Sequence, residues 1–363
     1  LSAIARGHIR PRLTRAFLQK QADWHKWAAS KKTQLDSYHS QQMFDEPIPR
    51  PPNANVLPLL WTYVVKPDGT RKARCVCNGS PSKKGSVTLD HTYAAALDQA
   101  GARTFWALAA LHGHVVVGAD ATNAFAEAPP PTAPLYVTVD APFRDWWIHT
   151  MKRPPITPGH VLPVKHALQG HPESPRLWAR MIHGILGRLG FTSTAHEPCI
   201  YTGTVNNTKV FILRQVDDFA VSATTASTCE DIFKRIQEHL TQPLKRLGLL
   251  KMYNGLDIDQ FDHLIKLSCR TYITKILKTH GWLSDTHEPV RTPMYADAAH
   301  IKSINETIGP TNDNERYNLQ QSMGFSYRQA IGELLFAAVT CRPDILYAVI
   351  RLSNFSTHPP QIQ

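Results

Sequence analysis

The chain has 363 residues, 42% of them hydrophobic and 27 of them proline, so it is long enough for two or three domains and should be loop-rich but folded. Its formal net charge of +11 favours a polyanionic partner, nucleic acid first among them. No apolar run reaches the length of a membrane span, the N-terminus has no secretory signal, and six scattered cysteines exclude a disulfide framework.

Those cysteines (75, 77, 199, 229, 269 and 341) read as reduced thiols of the cytosol or nucleus. The chain starts with Leu1, which reads as a piece of a larger protein. Residues 1–46 are basic and polar, with Trp24 and Trp27 on an expected helix, and residues 47–52 are a proline-rich connector. Two β-rich runs, 61–66 and 71–77, flank Pro67-Asp68-Gly69. Proline presets φ there and glycine accepts positive φ, so a hairpin is predicted. Period-two alternation puts Lys72 and Arg74 on one face of its second strand.

Residues 101–112 look helical, and a short buried strand from Val115 ends at Asp120. Residues 129–131, all proline, mark a loop. Pro175 opens the clearest helix: Leu177, Trp178, Met181, Ile182, Ile185, Leu186 and Leu189 keep the helical period, and Gly190 stops it. Residues 210–213 and 219–221 read as short strands around Asp217-Asp218. Ser227-Thr-Cys-Glu230 has the form of a capping box before a helix. Residues 271–280 form another expected helix, stopped by Gly281. The stretch 297–322 is polar and reads as an irregular linker, and a last helical pattern covers 326–352.

Asp217 and Asp218, taken alone, are ordinary turn residues, and Asp120 is an ordinary polar residue at a strand end. Jointly they say more. If their strands neighbour each other in one sheet, three carboxylates converge, and each raises the pKa of the others unless cations neutralise them. Oxygen donors of this kind suit Mg²⁺, which leaves room for substrate phosphates. Two such ions about 4 Å apart can activate an attacking hydroxyl and stabilise a leaving pyrophosphate.

The order of motifs resembles the Ty1/copia-type retrotransposon reverse transcriptases. Asp120-Ala-Thr-Asn-Ala-Phe125 is similar to their first catalytic motif, and Gln215-Val-Asp-Asp218 to their Tyr-Val-Asp-Asp box. Between these lie Ala167-Leu-Gln-Gly170 and Pro175-Arg-Leu-Trp178; upstream is Lys72-Ala-Arg74. Downstream come Asn254-Gly-Leu-Asp-Ile258, Arg291-Thr-Pro-Met294 and Cys341-Arg-Pro-Asp-Ile345. Each match is weak alone; in order, from residue 72 to 345, they are specific. Three departures stand out. Gln215 replaces the usual Tyr, Gln169 replaces the Tyr before Gly170, and Ala126-Glu-Ala128 replaces Leu-Asn-Gly.

The resemblance implies an RNA-directed DNA polymerase of α+β class: a right hand of fingers, a palm of antiparallel sheet backed by helices, and a thumb. Asp120, Asp217 and Asp218, with the carbonyl of Ala121, would hold two Mg²⁺ ions, with Mn²⁺ as a substitute. Lys72, Arg74, Phe125, Gln169 and Gly170 would bind the dNTP, Phe125 by crowding a 2′-hydroxyl. Gln215, Val216, Tyr253, Asn254 and Gly255 would touch the primer–template. The expected division is 1–57, an N-terminal helical segment and connector; 58–260, fingers and palm; 261–296, thumb; 297–322, linker; and 323–363, a helical segment leading toward an RNase H domain. Expected partners are an RNA template, the DNA primer–template duplex, dNTPs and the other Pol domains, integrase and RNase H, but no membrane. The expected location is the cytoplasm, in a retroelement particle, and the nucleus. A catalytically inactive or co-opted retroelement fragment that binds nucleic acid is the alternative.

Overall fold

A computed structural model describes residues 13–66, 68–79, 87, 89–283, 292–294, 297–306 and 309–356. They fall into two units: residues 13–250 with 261–264, and residues 251–260 with the described residues from 265 onward.

The first unit holds α1 (Arg15–Leu18), α2 (Trp24–Ser40), β1 (Ile48–Pro49), β2 (Asn55–Val65), β3 (Arg71–Cys77) and α3 (Gln99–Leu111). It continues with β4 (Val115–Ala121), β5 (Leu135–Thr138), α4 (Ala141–His149), β6 (His160–Pro163) and α5 (Ser174–Arg188). It closes with β7 (Thr192–Ser193), β8 (Ile200–Val205), β9 (Thr208–Gln215), β10 (Asp218–Ala223), α6 (Ala226–Gln237) and β11 (Leu244–Leu249).

Two sheets organise this unit. A six-stranded sheet runs β11-β4-β10-β9-β8-β7 with antiparallel pairings throughout. Its inner face meets α5 and α6. Val117, Ala119 and Phe219 pack there with Trp178 and Ile182 of α5 and with Ile232, Phe233 and Ile236 of α6. Trp178 and Ile182 lie four apart, and Ile232 and Phe233 lie four and three before Ile236, so each helix presents one apolar stripe to the sheet. A five-stranded sheet runs β1-β6-β5-β2-β3, antiparallel except for the β2–β5 pair. Its core joins Leu57, Cys75, Val137 and Leu162 to Leu35 and Tyr38 of α2 and to Phe143 of α4. Residues 13–57, expected as a segment apart, are thus part of the same unit, with Pro49 of β1 paired to His160 of β6.

The expected hairpin is β2–β3, with Arg74 opposite Thr62 and Lys72 opposite Val64. Pro67 lies outside the described residues, as do Arg291 and residues 1–12 and 357–363. Helix α6 starts earlier than its expected capping box. Thr225 is the cap and its hydroxyl accepts from Thr228 N at 3.2 Å. Ser227 therefore lies inside the helix and is not its cap, and the Glu230 carboxylate pairs with Arg246 at 3.0 Å.

The second unit holds β12 (Met252–Tyr253), β13 (Leu256–Phe261) and β14 (Leu264–Ser268) in one sheet, whose 261–264 tip goes with the first unit. Its helices are α7 (Arg270–His280), α8 (Ala298–Glu306), α9 (Asp313–Met323), α10 (Tyr327–Thr340) and α11 (Leu346–Ser353). Gly281 ends α7 in the left-handed region, as expected. The stretch 297–322 is not irregular. It carries α8 and most of α9, because Asn312 caps Glu315 N at 2.9 Å and the Glu315 carboxylate takes Thr311 N at 2.7 Å. The pattern at 326–352 is two helices, broken where Pro343 cannot continue the first.

Candidate active site

The aspartates meet through sheet register. Strand β4 pairs with β10 so that Asp120 stands directly opposite Asp218. On its other side Asp120 faces Lys245 of β11, and Asp218 faces Gln215 of β9. Residues directly opposite share a face of the sheet, with Cβ atoms about 5 Å apart. Lys245, Asp120, Asp218 and Gln215 therefore form one row. Lys245 escaped the sequence reading because register between distant strands leaves no local signal.

Asp217 lies in the two-residue turn between β9 and β10. Val216, the first turn residue, sits at φ +57°, where a β-branched residue is strained and glycine is usual. Two hydrogen bonds hold this turn. Trp178 Nε1 donates to the Val216 carbonyl at 2.7 Å, and Ala121 N donates to the Asp217 carbonyl at 2.8 Å. The second bond ties the turn to the strand carrying Asp120.

Burial, then the charges of Asp217 and Asp120, push Asp218 up to about 6. Burial and Asp120 also raise Asp217, while Arg74 and Lys72 pull it back down. Lys72 is lowered, by burial first and then by Arg74 and Lys66, against the opposing pull of Asp120 and Asp217. The two ends of the site thus sense each other. Among the described residues no three His, Cys, Asp or Glu side chains stand ready as a ligand set. What the aspartates offer is mutually repelling, partly desolvated oxygen donors beside room for a ligand. That chemistry fits a hard divalent cation whose remaining ligands come from substrate phosphates and water.

A cavity of about 310 Å³ adjoins the turn and is lined by Lys72, Arg74, Phe125, Gln169, Val216 and Asp217. Gln169 reaches it because Gly170 lies tight against β3. The Gln169 carbonyl accepts from Cys77 N at 2.9 Å, and a Cβ on Gly170 (φ +95°) would stand 2.2 Å from the Cys77 carbonyl oxygen. Asn123 and Tyr38 also line the cavity and were missed in the sequence. Asn123 was read only as an unspecified position of the Asp120 motif, and Tyr38 lies on α2, where no motif pointed.

Gln215 has its side chain on another task. Its Oε1 accepts from Leu97 N at 3.2 Å, anchoring the loop before α3. Tyr253, Asn254 and Gly255 lie in the second unit. Tyr253 is buried, and Asn254 and Gly255 take positive φ (46° and 81°) between β12 and β13, the pattern of a type I′ turn.

An α+β fold with acidic side chains on adjacent strands beside a cation-lined cavity marks a candidate nucleotide-handling enzyme. A family model described as reverse transcriptase (RNA-dependent DNA polymerase) matches residues 45–296, and the chain belongs to that family. It is similar to a Ty5-1 transposon protein of Saccharomyces cerevisiae, 29% identical over 64% of this chain and 70% of that one. It is also similar to the Pol polyproteins of transposon TNT 1-94 of Nicotiana tabacum and transposon RE1 of Arabidopsis thaliana. The first is 25% identical over 82% of this chain, the second 23% over 93%. The chain spans 22% and 21% of those polyproteins. A solved foamy viral protease–reverse transcriptase in complex with double-stranded DNA aligns with a TM-score of 0.45 at 16% identity, over 92% of this chain and 45% of that one. By its family match and these transposon relatives, the chain is a reverse transcriptase domain of the kind found in retrotransposon Pol polyproteins. Among the described residues no helix is long and apolar enough to cross a membrane.

Proposed function

We propose that this chain copies RNA into DNA as the polymerase domain of a Ty1/copia-like retrotransposon, extending a primer 3′-hydroxyl with dNTPs. The observation that carries the reading is the β4–β10 register: it sets Asp120 opposite Asp218, with Asp217 in the adjoining turn and lining a cavity that also holds Lys72 and Arg74.

In this reading Asp120, Asp217, Asp218 and the Ala121 carbonyl hold two Mg²⁺ ions. When bound, the ions would lower the pKa of the primer hydroxyl and offset charge on the leaving pyrophosphate. Lys72 and Arg74 hold the triphosphate, Arg74 with a planar fork suited to phosphate oxygens. Phe125 lies under the sugar, where its ring excludes a 2′-hydroxyl. Gln169 and Gly170 meet the nucleotide. The primer 3′-oxygen forms a bond to the α-phosphorus and loses its proton to solvent; the bond from the α-phosphorus to the bridging oxygen breaks, and pyrophosphate leaves. No covalent bond to the protein forms, so catalysis is positioning and charge neutralisation.

The same reading assigns fingers and palm to 58–260 and a thumb to 261–296, while by compactness residues 251–260 group with the second unit and 261–264 with the first. The turn at 253–255 would hold the primer end. Integrase and RNase H are the expected companions in the polyprotein, in a cytoplasmic particle and the nucleus.

Primer extension on oligo(dT)/poly(A) with Mg²⁺ tests the proposal. Extension by the wild type, lost in Asp217→Asn, supports it. Binding of primer–template without extension would point instead to a co-opted fragment, and template cutting without synthesis to a nuclease.

A further inference from the structure

Within Ala126-Glu-Ala128, where the chain departs from the family pattern after Phe125, Glu127 is a carboxylate that is only 9% exposed. Burying a carboxylate is costly unless donors satisfy it, and here four do. Thr241 N, the Thr241 hydroxyl and Gln242 N donate at 2.8, 2.7 and 2.9 Å, and Gln41 Nε2 at 3.2 Å. Three come from the loop between α6 and β11. The fourth comes from Gln41, the residue that caps the end of α2.

On the other side of Phe125 stands Asn123, at φ +50°, a left-handed backbone that Asn tolerates better than most residues. Its side chain meets the same helix. Asn123 Nδ2 donates to Ser37 Oγ and, at 3.4 Å, to Gln41 Oε1, and Asn123 Oδ1 accepts from Gln34 Nε2 at 3.4 Å. Ser40 and Gln242 close the ring at 3.5 Å. Gln41 therefore touches both flanks of Phe125 at once.

Between these flanks, residues 124–127 make a single 3₁₀ turn. Such turns have few and poorly aligned backbone bonds. Here Ala126 N reaches Asn123 O at 2.8 Å and Ala128 N reaches Phe125 O at 3.0 Å. The half-buried Phe125 ring has no polar anchor of its own. Its position follows the turn, and the turn is held from outside by polar side chains.

We propose that Glu127, with Gln41, is a positioning residue that fixes the Phe125 turn and so sets the preference for deoxynucleotides over ribonucleotides. The inference rests on the polymerase reading above. It gives α2 a part in substrate selection: the helix fixes the wall of the sugar subsite through Gln41 and Asn123. The carboxylate matters because each of its oxygens faces a backbone N–H that can only donate, Thr241 N on one and Gln242 N on the other. An amide there would turn an N–H toward another N–H.

The test is single-nucleotide primer extension with a dNTP and its matching rNTP, reading kcat/KM for each. In Glu127→Gln the dNTP/rNTP ratio is expected to fall about tenfold, since displacements near 1 Å at a reacting centre have effects of this order or larger. Ribonucleotide use should rise, with Phe125→Ala as the reference for full loss of the ring. Glu127→Asp, which keeps the charge, should recover part of the ratio. A merely structural role would lower both substrates together and leave the ratio unchanged, which would overturn the inference. If thermal melting shows that Glu127→Gln does not fold, Gln41→Ala removes one strut and is read instead; an unchanged ratio there is equally fatal. A wild type that extends and discriminates while the variants keep its ratio refutes this inference alone. A wild type that extends nothing refutes the polymerase reading and this inference with it.

Discussion

Asp217 is raised by burial and by Asp120 yet drawn down by Arg74 and Lys72, so its charge belongs to both ends of the cavity. Asp217→Asn keeps the shape and removes the charge. Extension should drop at least about a hundredfold, the scale on which a single preorganised electrostatic contact acts, while the melting temperature stays near that of the wild type. Retained extension would remove this residue from the chemistry. Phe125→Ala should raise ribonucleotide incorporation, and an unchanged rate would strip the ring of its gating role. Two histidines make a separate statement about pH. His114 is buried, with Nδ1 3.0 Å from Ser222 Oγ, and burial and neighbouring His112 lower its pKa below 6.5. Burial likewise lowers His171. Between the lowered folded values and the ordinary value the unfolded chain binds more protons. The stability these groups contribute is therefore present above about pH 6.5 and lost as pH falls through the folded values. Melting temperature should decline on that acid side, and less steeply in His114→Gln. Parallel profiles for the two proteins would show that His114 contributes nothing to the decline.

Elements, more than single residues, decide how the site is framed, and here the reach of sequence reasoning is uneven. Strands β4, β9 and β10 were legible because their apolar runs adjoin the acidic residues, and α5 because its stripe keeps the helical period. The register that pairs Asp120 with Asp218 was not, since it joins strands about a hundred residues apart and leaves no local trace. Strands β5 and β6 were missed because four residues show no convincing period. The helix between them was detectable: Asp140 caps Phe143 N at 3.2 Å and proline follows at the start, a plain start signal. The α2 contacts to Asn123 and Glu127 were hidden because they are polar and long-range, and periodicity reads only apolar faces. One element contact invites a direct test. Gly170 touches the Cys77 carbonyl of β3 and holds φ +95°, so Gly170→Ala faces both a clash and a forbidden backbone. It should destabilise the protein by roughly 2 kcal/mol or more in a urea melt. A melt indistinguishable from the wild type would mean that β3 and the Gln169 segment are less tightly apposed than their geometry states.

At the scale of the whole molecule, a net charge of +11 sets how this domain should meet nucleic acid. Part of that charge is already committed: Arg71, Arg153 and Arg246 pair with Asp23, Glu46 and Glu230. Others stand exposed on the first unit, among them Arg180 and Arg188 of α5, Lys209 of β9 and Lys245 of β11. On the proposed function the chain must hold any sequence it copies, so its grip should come from phosphates and not from base edges. Each phosphate neutralised by Lys or Arg releases condensed counterions, which makes the logarithm of the binding constant fall linearly with the logarithm of salt concentration. If about six phosphates are engaged, affinity for a primer–template duplex should drop roughly a thousandfold between about 50 and 200 mM salt. Two duplexes of equal length and unrelated sequence should give the same slope. Fluorescence anisotropy across a salt series reads both quantities. A nearly flat dependence would mean that the excess charge serves solubility and does not bind the duplex. Slopes that differ between the two sequences would mean that base contacts contribute to the grip.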